Sequence, residues 1–524
     1  MNNRNVIPIL GIYFLLLIIG CKKNLLDISG KETYIDLETS NIPDFSYAGY
    51  MMSERPLPVL EDIFTVTVSP DNLSDHTTLL QSKIDELSKR PILDGFRGVL
   101  LLKKGKYFVS QPININSSGV VIKGEIDSYG QIPIIHFNKV MNWRNIKEAQ
   151  DWSIIKIKGL NISDNKIGLP FSIIQDIDQA GSTHISIDKS HSFVKGDSIM
   201  IVKTPNDNWI TTLNTSQYGW ISSEYHVESK RVIKDLKENL ITLNIPLYDK
   251  IKNNYGGGYV IKYNSSNYIF NCGVENIHFI SSYLEGNNED ETHIWSSIIL
   301  ENATNCWVKK VKTENLAFSL VSLINSSFCT IQDCSAINFK SKPIGDRRYP
   351  YYIGQFSYGN LIQRCFASSG RHDFSTGARL TGPNVFLDCL SENSLADSGP
   401  HHRWAVGTLY DNISSNKIYA RNSGEFGSGH GWTGAFNLFW NNRASFGFLI
   451  QNPPDAMNWL IGSQGRLLEN SIPYTISHGR NVSPRSLFIY QLSKRLGENK
   501  VKTIFTDVQL LPENEIWTRI NYLR

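Results

Sequence analysis

Residues Asn305–Cys334 read NCWVKKVKTENLAFSLVSLINSSFCTIQDC. Two short β-type runs start inside this stretch, at Trp307-Val308 and Thr330-Ile331, and the second residues of the two pairs lie 23 positions apart. The same kind of start recurs at Leu361-Ile362, Val385-Phe386, Lys417-Ile418 and Leu438-Phe439, after further steps of 31, 24, 32 and 21. Most of these starts follow shortly after Asn, Gly or Ser. A repeat of this length marks a solenoid, in which each coil stacks on the previous one as a parallel sheet. The unequal steps predict loops inserted on one side of the bare coil. Cys334, Cys365 and Cys389 fall at one offset from the starts, so they are expected as rungs of a buried column, because free Cys packs as a small hydrophobe. None of Cys272, Cys306, Cys329 or these three shows the CxxC spacing of a metal site.

Upstream, the chain is equally rich in short strands. Phe64–Val68 is followed by a stretch in which Leu80, Ile84 and Leu87 recur at helical spacing, with Ser74 as its expected cap. Then come Gly98–Leu102, Lys106–Val109, Ile113–Ile115 and Val120–Gly124, separated by turn residues. The order DFSYAGY (44–50), a helix after a D-rich loop, GVLLLKKGKYFV (98–109) and GVVIKGE (119–125) resembles the opening of pectate-lyase-superfamily proteins. That resemblance implies an all-β right-handed parallel β-helix with a short helix over the open first coil. The D-rich loop departs from the family pattern, reading SPDNLSDHTT (69–78) where relatives often have GDGxTDDT.

The resulting plan has N-terminal coils over 43–150 and main coils over 266–480, with a cap over 481–524. Residues 151–265 interrupt it with His184–Ile187, Ser198–Val202 and Leu240–Leu243, whose rhythm is antiparallel. This is read as a small β insertion whose core Trp209, Trp220 and Tyr225 are expected to fill. Near the C-terminus, Leu487, Ile489, Leu492 and Leu496 predict a helix or short strand closing the last coil, which a solenoid needs to avoid an open edge.

The N-terminus points to export. An apolar run from Val6 to Ile19 follows Arg4 and ends in Ile18-Ile19-Gly20-Cys21, too short for a spanning helix of ~20 residues and shaped like a secretory signal. The ending resembles a bacterial lipobox. Residues 1–20 are thus expected to be a lipoprotein signal peptide and 21–42 a tether, with Cys21 lipidated and the protein anchored to the outer membrane. A formal net charge of +3 over 524 residues gives no reason to expect nucleic acid. The expected state is a monomer.

Chemistry concentrates between Ser369 and Asn442, which holds His372, His401, His402 and His430 among Arg371, Arg379, Arg403, Asp373 and Asp397. Shortly before most of the aromatic residues Trp295, Phe318, Tyr352, Phe374, Trp404 and Trp432 lies a polar knot: Asp290–His293, Asp346–Tyr349, Arg371–Asp373, His401–Arg403 and Gly429–Gly431. If these aromatics share one register, the knots RHD, HHR and GHG occupy one corner of successive coils, ~4.8 Å apart per step, and line a groove for a polysaccharide. An imidazole with an ordinary pKa of ~6.5 suits proton transfer. The favoured reading is a polysaccharide lyase cleaving a uronate-containing glycan by β-elimination. Arg403, Arg371 and Arg379 would clamp the carboxylate with their planar forks. His402 or His372 would be the base, and His430 or Tyr410 the acid. His401, Asp397, Trp404 and Trp432 are further substrate contacts.

Two alternatives stay open. A hydrolase would use Asp373 and Asp397 as its carboxylate pair, and the GHG at 429–431 is similar to a short element of β-helix polygalacturonases. A non-enzymatic glycan-binding lipoprotein would use Trp404 and Trp432 as platforms. Many lyases resembling the family hold Ca2+ in acidic clusters, whereas Asp373, Asp397 and Asp411 are dispersed. His401-His402 with Asp373 is a weak transition-metal candidate, since no spaced third ligand is evident.

Overall fold

The computed structural model describes residues 33–35, 41–160 and 166–512. Cys21, the signal segment, most of the tether and residues 513–524 lie outside the described residues. Among the described residues no helix is long and apolar enough to cross a membrane.

Coils of a parallel β-helix form the body. One face is a sheet of twelve strands, running from Thr65–Val68 through Trp307–Lys309 and Thr408–Asp411 to Tyr474–Ile476. Its register is continuous: Val308 pairs with Ile331, then Ile362, Phe386, Tyr410, Phe439 and Leu460 in turn. The expected start at Lys417-Ile418 is therefore displaced. Leu409-Tyr410 holds that place, and Lys417-Ile418 lies in the strand Ser414–Ala420 on the next sheet. A tyrosine inside the pair disguised the true start, and the Lys417-Ile418 pair after Asn416 imitated it.

Two physical columns keep the coils in step. At the corner after the first face, one residue per coil has positive φ: Asn276, Lys310, Asp333, Arg364, Asp388, Asn412, Asn441 and Gly462. That conformation costs most residues ~1–2 kcal/mol and turns the chain sharply between sheets, which explains the recurrent Asn and Asp. Inside the helix, all six described cysteines are free and buried. Cys334, Cys365 and Cys389 form the expected column just after the first-face strands. Cys272, Cys306 and Cys329 form a second just before them, continued by Asn360 and Asn384. There Asn384 Oδ1 accepts from Asn360 Nδ2 at 3.2 Å, and Asn360 Oδ1 from the Cys329 amide at 3.0 Å.

The other two faces merge into one sixteen-stranded sheet, because Ser414–Ala420 pairs with Leu390–Glu392 at one end and Asp397–Pro400 at the other. On the third face Ser322 pairs with Tyr352, Tyr352 with Ser375, and Ser375 with Gly399. The six aromatics consequently do not share one register. Phe374 pairs with Tyr351 rather than Tyr352, and Trp404 lies beyond the end of its strand, its amide donating to the Trp432 carbonyl at 2.8 Å.

Ser153–Lys158 is a third-face strand, pairing with Ile113–Ile115 and Ser296–Glu301. The inserted sheet accordingly runs from Lys166–Ser172 to Gly258–Tyr263, six strands all paired antiparallel. Its own core is mainly aliphatic, around Ile185, Ile201 and Leu243, with Phe193 among them. Trp209, Trp220 and Tyr225 instead fill the seam between the insertion and the coils, with Trp209 4.9 Å from Trp404.

The helix Thr77–Ser88 buries Leu80, Ile84 and Leu87. Its N-cap is His76, while Ser74 bonds to Asp71 instead. At the other end, the helix Leu487–Leu496 is capped by Ser486, which accepts from the Ile489 amide at 3.1 Å. It lies along the outside of the first face rather than over the last coil. The Phe488 amide donates to Asp411 Oδ2 at 2.8 Å, and Gln491 Nε2 to the Pro43 carbonyl at 2.9 Å. The segments around 43–50 and 485–510 thus cover the first sheet, burying Leu361, Val385 and Trp440, as a two-sided apolar parallel sheet requires.

Candidate active site

On the third-face side an open groove of about 920 Å³ is lined by His372, His401, His402, His430, Arg371, Arg403, Arg421, Asp346, Asp397, Tyr349 and Tyr352, among others. Four imidazoles meet there, though not through the expected corner. His372 precedes its strand, Phe374–Thr376, whereas His401 and His402 follow theirs, Asp397–Pro400. The His372 and His401 ring centres are 3.8 Å apart, His401 and His402 4.5 Å, and His402 and His430 4.6 Å. Tyr349 stands edge-on to His372 at 5.0 Å and to His401 at 5.5 Å.

His430 owes its place to the insertion. Gly429 and Gly431 both have positive φ, and a Cβ on Gly429 would lie 2.1 Å from the Tyr218 carbonyl oxygen. Trp220 Nε1 donates to the Gly429 carbonyl at 3.0 Å. The GHG tripeptide is therefore a backbone device that lets a tight loop rest on the insertion while its imidazole enters the groove.

All four histidines are held neutral. Burial lowers the pKa of His372 to about 4 and that of His402 to about 3, with Arg371 contributing to both and His430 and Arg403 to His402. Burial and the adjacent imidazoles put His401 well below its usual range, and burial with Arg403 lowers His430. His372 is 2% exposed. Its Nδ1 donates to the Asp397 carbonyl at 2.8 Å, which fixes the tautomer, and its Nε2 is buried with no partner. The Asp397 carboxylate is 3.7 Å from the same Nδ1.

The arginines divide. Arg403 reaches Ser428 Oγ at 2.7 Å, and its Nε has no partner. Arg371 bonds the Gly345 carbonyl and approaches the Tyr349 hydroxyl at 3.4 Å. Arg379 turns away to the Glu224 carbonyl of the insertion and lies off the main groove.

Four further expectations are corrected. Asp373 is fully buried, accepting from Ser391 Oγ, and burial pushes its pKa up to about 7. It does not line the groove. Tyr410 is an interior rung, stacked between Phe386 at 5.1 Å and Phe439 at 4.9 Å. Trp404 donates from Nε1 to Asp249 Oδ2 at 2.9 Å, and Trp432 to the Leu213 carbonyl at 3.0 Å, so both anchor the insertion. The knot at 290–293 is structural as well, since His293 is buried and bonds the Lys340 carbonyl at 2.8 Å.

Tyr349, Tyr352, Asp346 and Arg421 are groove residues that the sequence reading passed over as sites. Tyr349 closes the Asp346–Tyr349 knot, a signal that was present. Arg421 follows Ser414–Ala420, the strand whose face was misread, so its position was hidden.

Calcium does not fit. It takes 6–8 oxygen ligands, whereas each group of potential metal ligands among the described residues contains at least two histidines.

No protein-family model matches the chain, and no curated protein matches it. Solved structures with similar chain paths include the tailspike protein gp49 of Pseudomonas phage LKA1, at 13% identity over 74% of this chain and 64% of that one, with a TM-score of 0.40. Another is the tailspike gp61 of Pseudomonas phage phi297, at 10% identity over 78% and 61%, TM-score 0.42. A third is the tailspike of E. coli bacteriophage HK620 in complex with a pentasaccharide, at 11% identity over 78% and 57%, TM-score 0.41. The chain spans roughly three-fifths of the length of these proteins. At this level the likeness concerns the path of the chain and says nothing of the site.

Proposed function

We propose that the groove binds an acidic, uronate-containing polysaccharide and cleaves it by β-elimination. The observation carrying this reading is the convergence of neutral imidazoles with Arg371, Arg403 and Arg421 in one open groove, while Asp373 is withdrawn into the interior. A glycosidase pair built on Asp373 and Asp397 lacks one member on the groove wall.

The chemistry follows from those groups. Guanidinium forks bind the uronate carboxylate and spread its charge, which makes the C5 proton removable. His402, neutral and facing the groove, takes that proton. The C5–H electrons form the C4–C5 double bond and the C4–O bond breaks. The departing oxygen takes a proton from the Tyr349 hydroxyl, which lines the same groove and which burial keeps protonated. Positioned proton transfer contributes ~10²–10⁴-fold.

The same proposal places the mature protein outside the cytoplasm as a monomer, lipid-anchored through Cys21 to the bacterial outer membrane. Loss of the membrane-bound fraction in Cys21→Ser would test this.

Incubation with a panel of uronate polysaccharides tests the reaction. New ultraviolet absorbance from an unsaturated uronate is expected. New reducing ends without that absorbance would replace elimination by hydrolysis, and saturable binding without products would leave a binding protein.

A further inference from the structure

His401 and His402 are neighbours in sequence, and in a continuing strand their side chains would point to opposite faces. Here the strand ends at Pro400 and the chain bends at His402. Both rings consequently turn into the groove, where His430 meets them from the loop after the strand Ser414–Ala420. One ring nitrogen from each of His401, His402 and His430 can be chosen so that all three lie within 4.8 Å of one another. Three imidazoles on a zinc-class ion at ~2.0–2.1 Å hold their nitrogens roughly 3.4 Å apart. Side-chain rotations of about an ångström close the set.

A second layer stands behind this triad. His372, 2% exposed, packs its ring 3.8 Å from that of His401. Its Nδ1 is tied to the Asp397 carbonyl at 2.8 Å, with the Asp397 carboxylate 3.7 Å away. The Nε2 of this buried ring has no partner, and neither has the buried Nδ1 of His430. Unpartnered buried nitrogens are costly. A shell of histidine and carboxylate behind imidazole ligands is the usual support of a metal centre.

We propose that His401, His402 and His430 bind one divalent transition-metal ion of the zinc class, with its fourth position open to the groove. Imidazole donors without a carboxylate in the triad suit Zn2+, Co2+ or Ni2+ rather than Ca2+ or Mg2+. Arg371 and Arg403 line the same groove, so the fourth ligand is an anion, hydroxide or a carboxylate, which offsets the local positive charge. An ion so placed takes the lone pair that His402 uses as base. Metal loading and elimination through His402 therefore exclude one another, and the ion is an inhibitor of that reaction.

The test uses the full chain purified without a histidine tag and titrated with Co2+ or Zn2+ alone, in the absence of glycan. Its outcome is thus independent of whether the groove cleaves anything. One equivalent of Co2+ is expected, with the visible absorption of a four-coordinate site, and calorimetry should give one Zn2+ per chain. His401→Gln and His430→Gln should each weaken uptake at least roughly tenfold, the lower end of the loss seen when even a supporting residue is removed. His184→Gln, on the exposed edge of the insertion, should bind as the parent does. Circular dichroism checks folding; should His401→Gln not fold, His430→Gln on its surface loop decides. Absence of saturable uptake by the parent, or unchanged affinity in a folded His430→Gln, would overturn the proposal.

Discussion

Two sets of rings run through this molecule. Phe386, Tyr410 and Phe439 stack within 14° of parallel at 5.1 and 4.9 Å. His372, His401, His402 and His430 follow one another at 3.8, 4.5 and 4.6 Å, tilted by 40° to 70°. The first set sits in one column of one sheet, so the ~4.8 Å strand spacing makes the stack without further design. The second comes from different positions in its coils and from a loop braced by the insertion. Register builds the interior, and departures from register build the site. A ring in the column is enclosed by its neighbours, while outside it His372 Nε2 and His430 Nδ1 are left without a partner.

That contrast can be broken from either side. The largest effect belongs to the interior: Phe386→Ala should cost about 3–5 kcal/mol, as for buried aromatics generally, read as a lowered denaturant midpoint. A loss near 1 kcal/mol would show that the column is not close-packed. His402→Ala should do the reverse, leaving the midpoint near the parent value while turnover on the cleaved polysaccharide falls at least roughly a hundredfold. Near-normal turnover would remove His402 from the mechanism.

Asp373 is a carboxyl on the closed side. Its pKa is raised by burial from 3.8 to about 7, so the folded chain binds more protons than the unfolded chain between those values. Stability should then fall as pH rises from about 4 to about 7 and level off above, by linkage. Asp373→Asn should flatten part of that slope, with the remainder belonging to Asp411, raised to about 7 in the same way. An unchanged slope in unfolding across that pH range would place Asp373 in contact with water after all. The smallest effect is expected for Cys365→Ala, about 1 kcal/mol, the scale of one buried methylene. In the parent, the six described thiols should resist alkylation until the chain unfolds.

Much of the fold was legible because a solenoid repeats its physics. Trp307, Thr330, Leu361, Val385 and Leu438 announced the strands of one face, and Cys334, Cys365 and Cys389 announced its interior column. The failures share a cause. Tyr410 and Lys417-Ile418 each fit a simple pattern, and only the pairing of Phe386 with Tyr410 shows which one lies in the stack. The apolar pattern of the C-terminal helix was visible, but Asp411, which holds it against the first face, is far away in sequence.

The ingredients of the site are visible in the chain as written: four histidines and several arginines lie between Ser369 and Asn442 of a coiled repeat. Their use depends on how the chain folds. Folding withdrew Asp373 and Tyr410, turned Arg379 toward the insertion, and brought Tyr349 and Arg421 to the groove. It also rested Gly429 on Tyr218 and Trp220 so that His430 could reach His402. The physical reason is that a repeat specifies neighbours along its own columns, whereas loops and an inserted domain make contacts that no local spacing encodes.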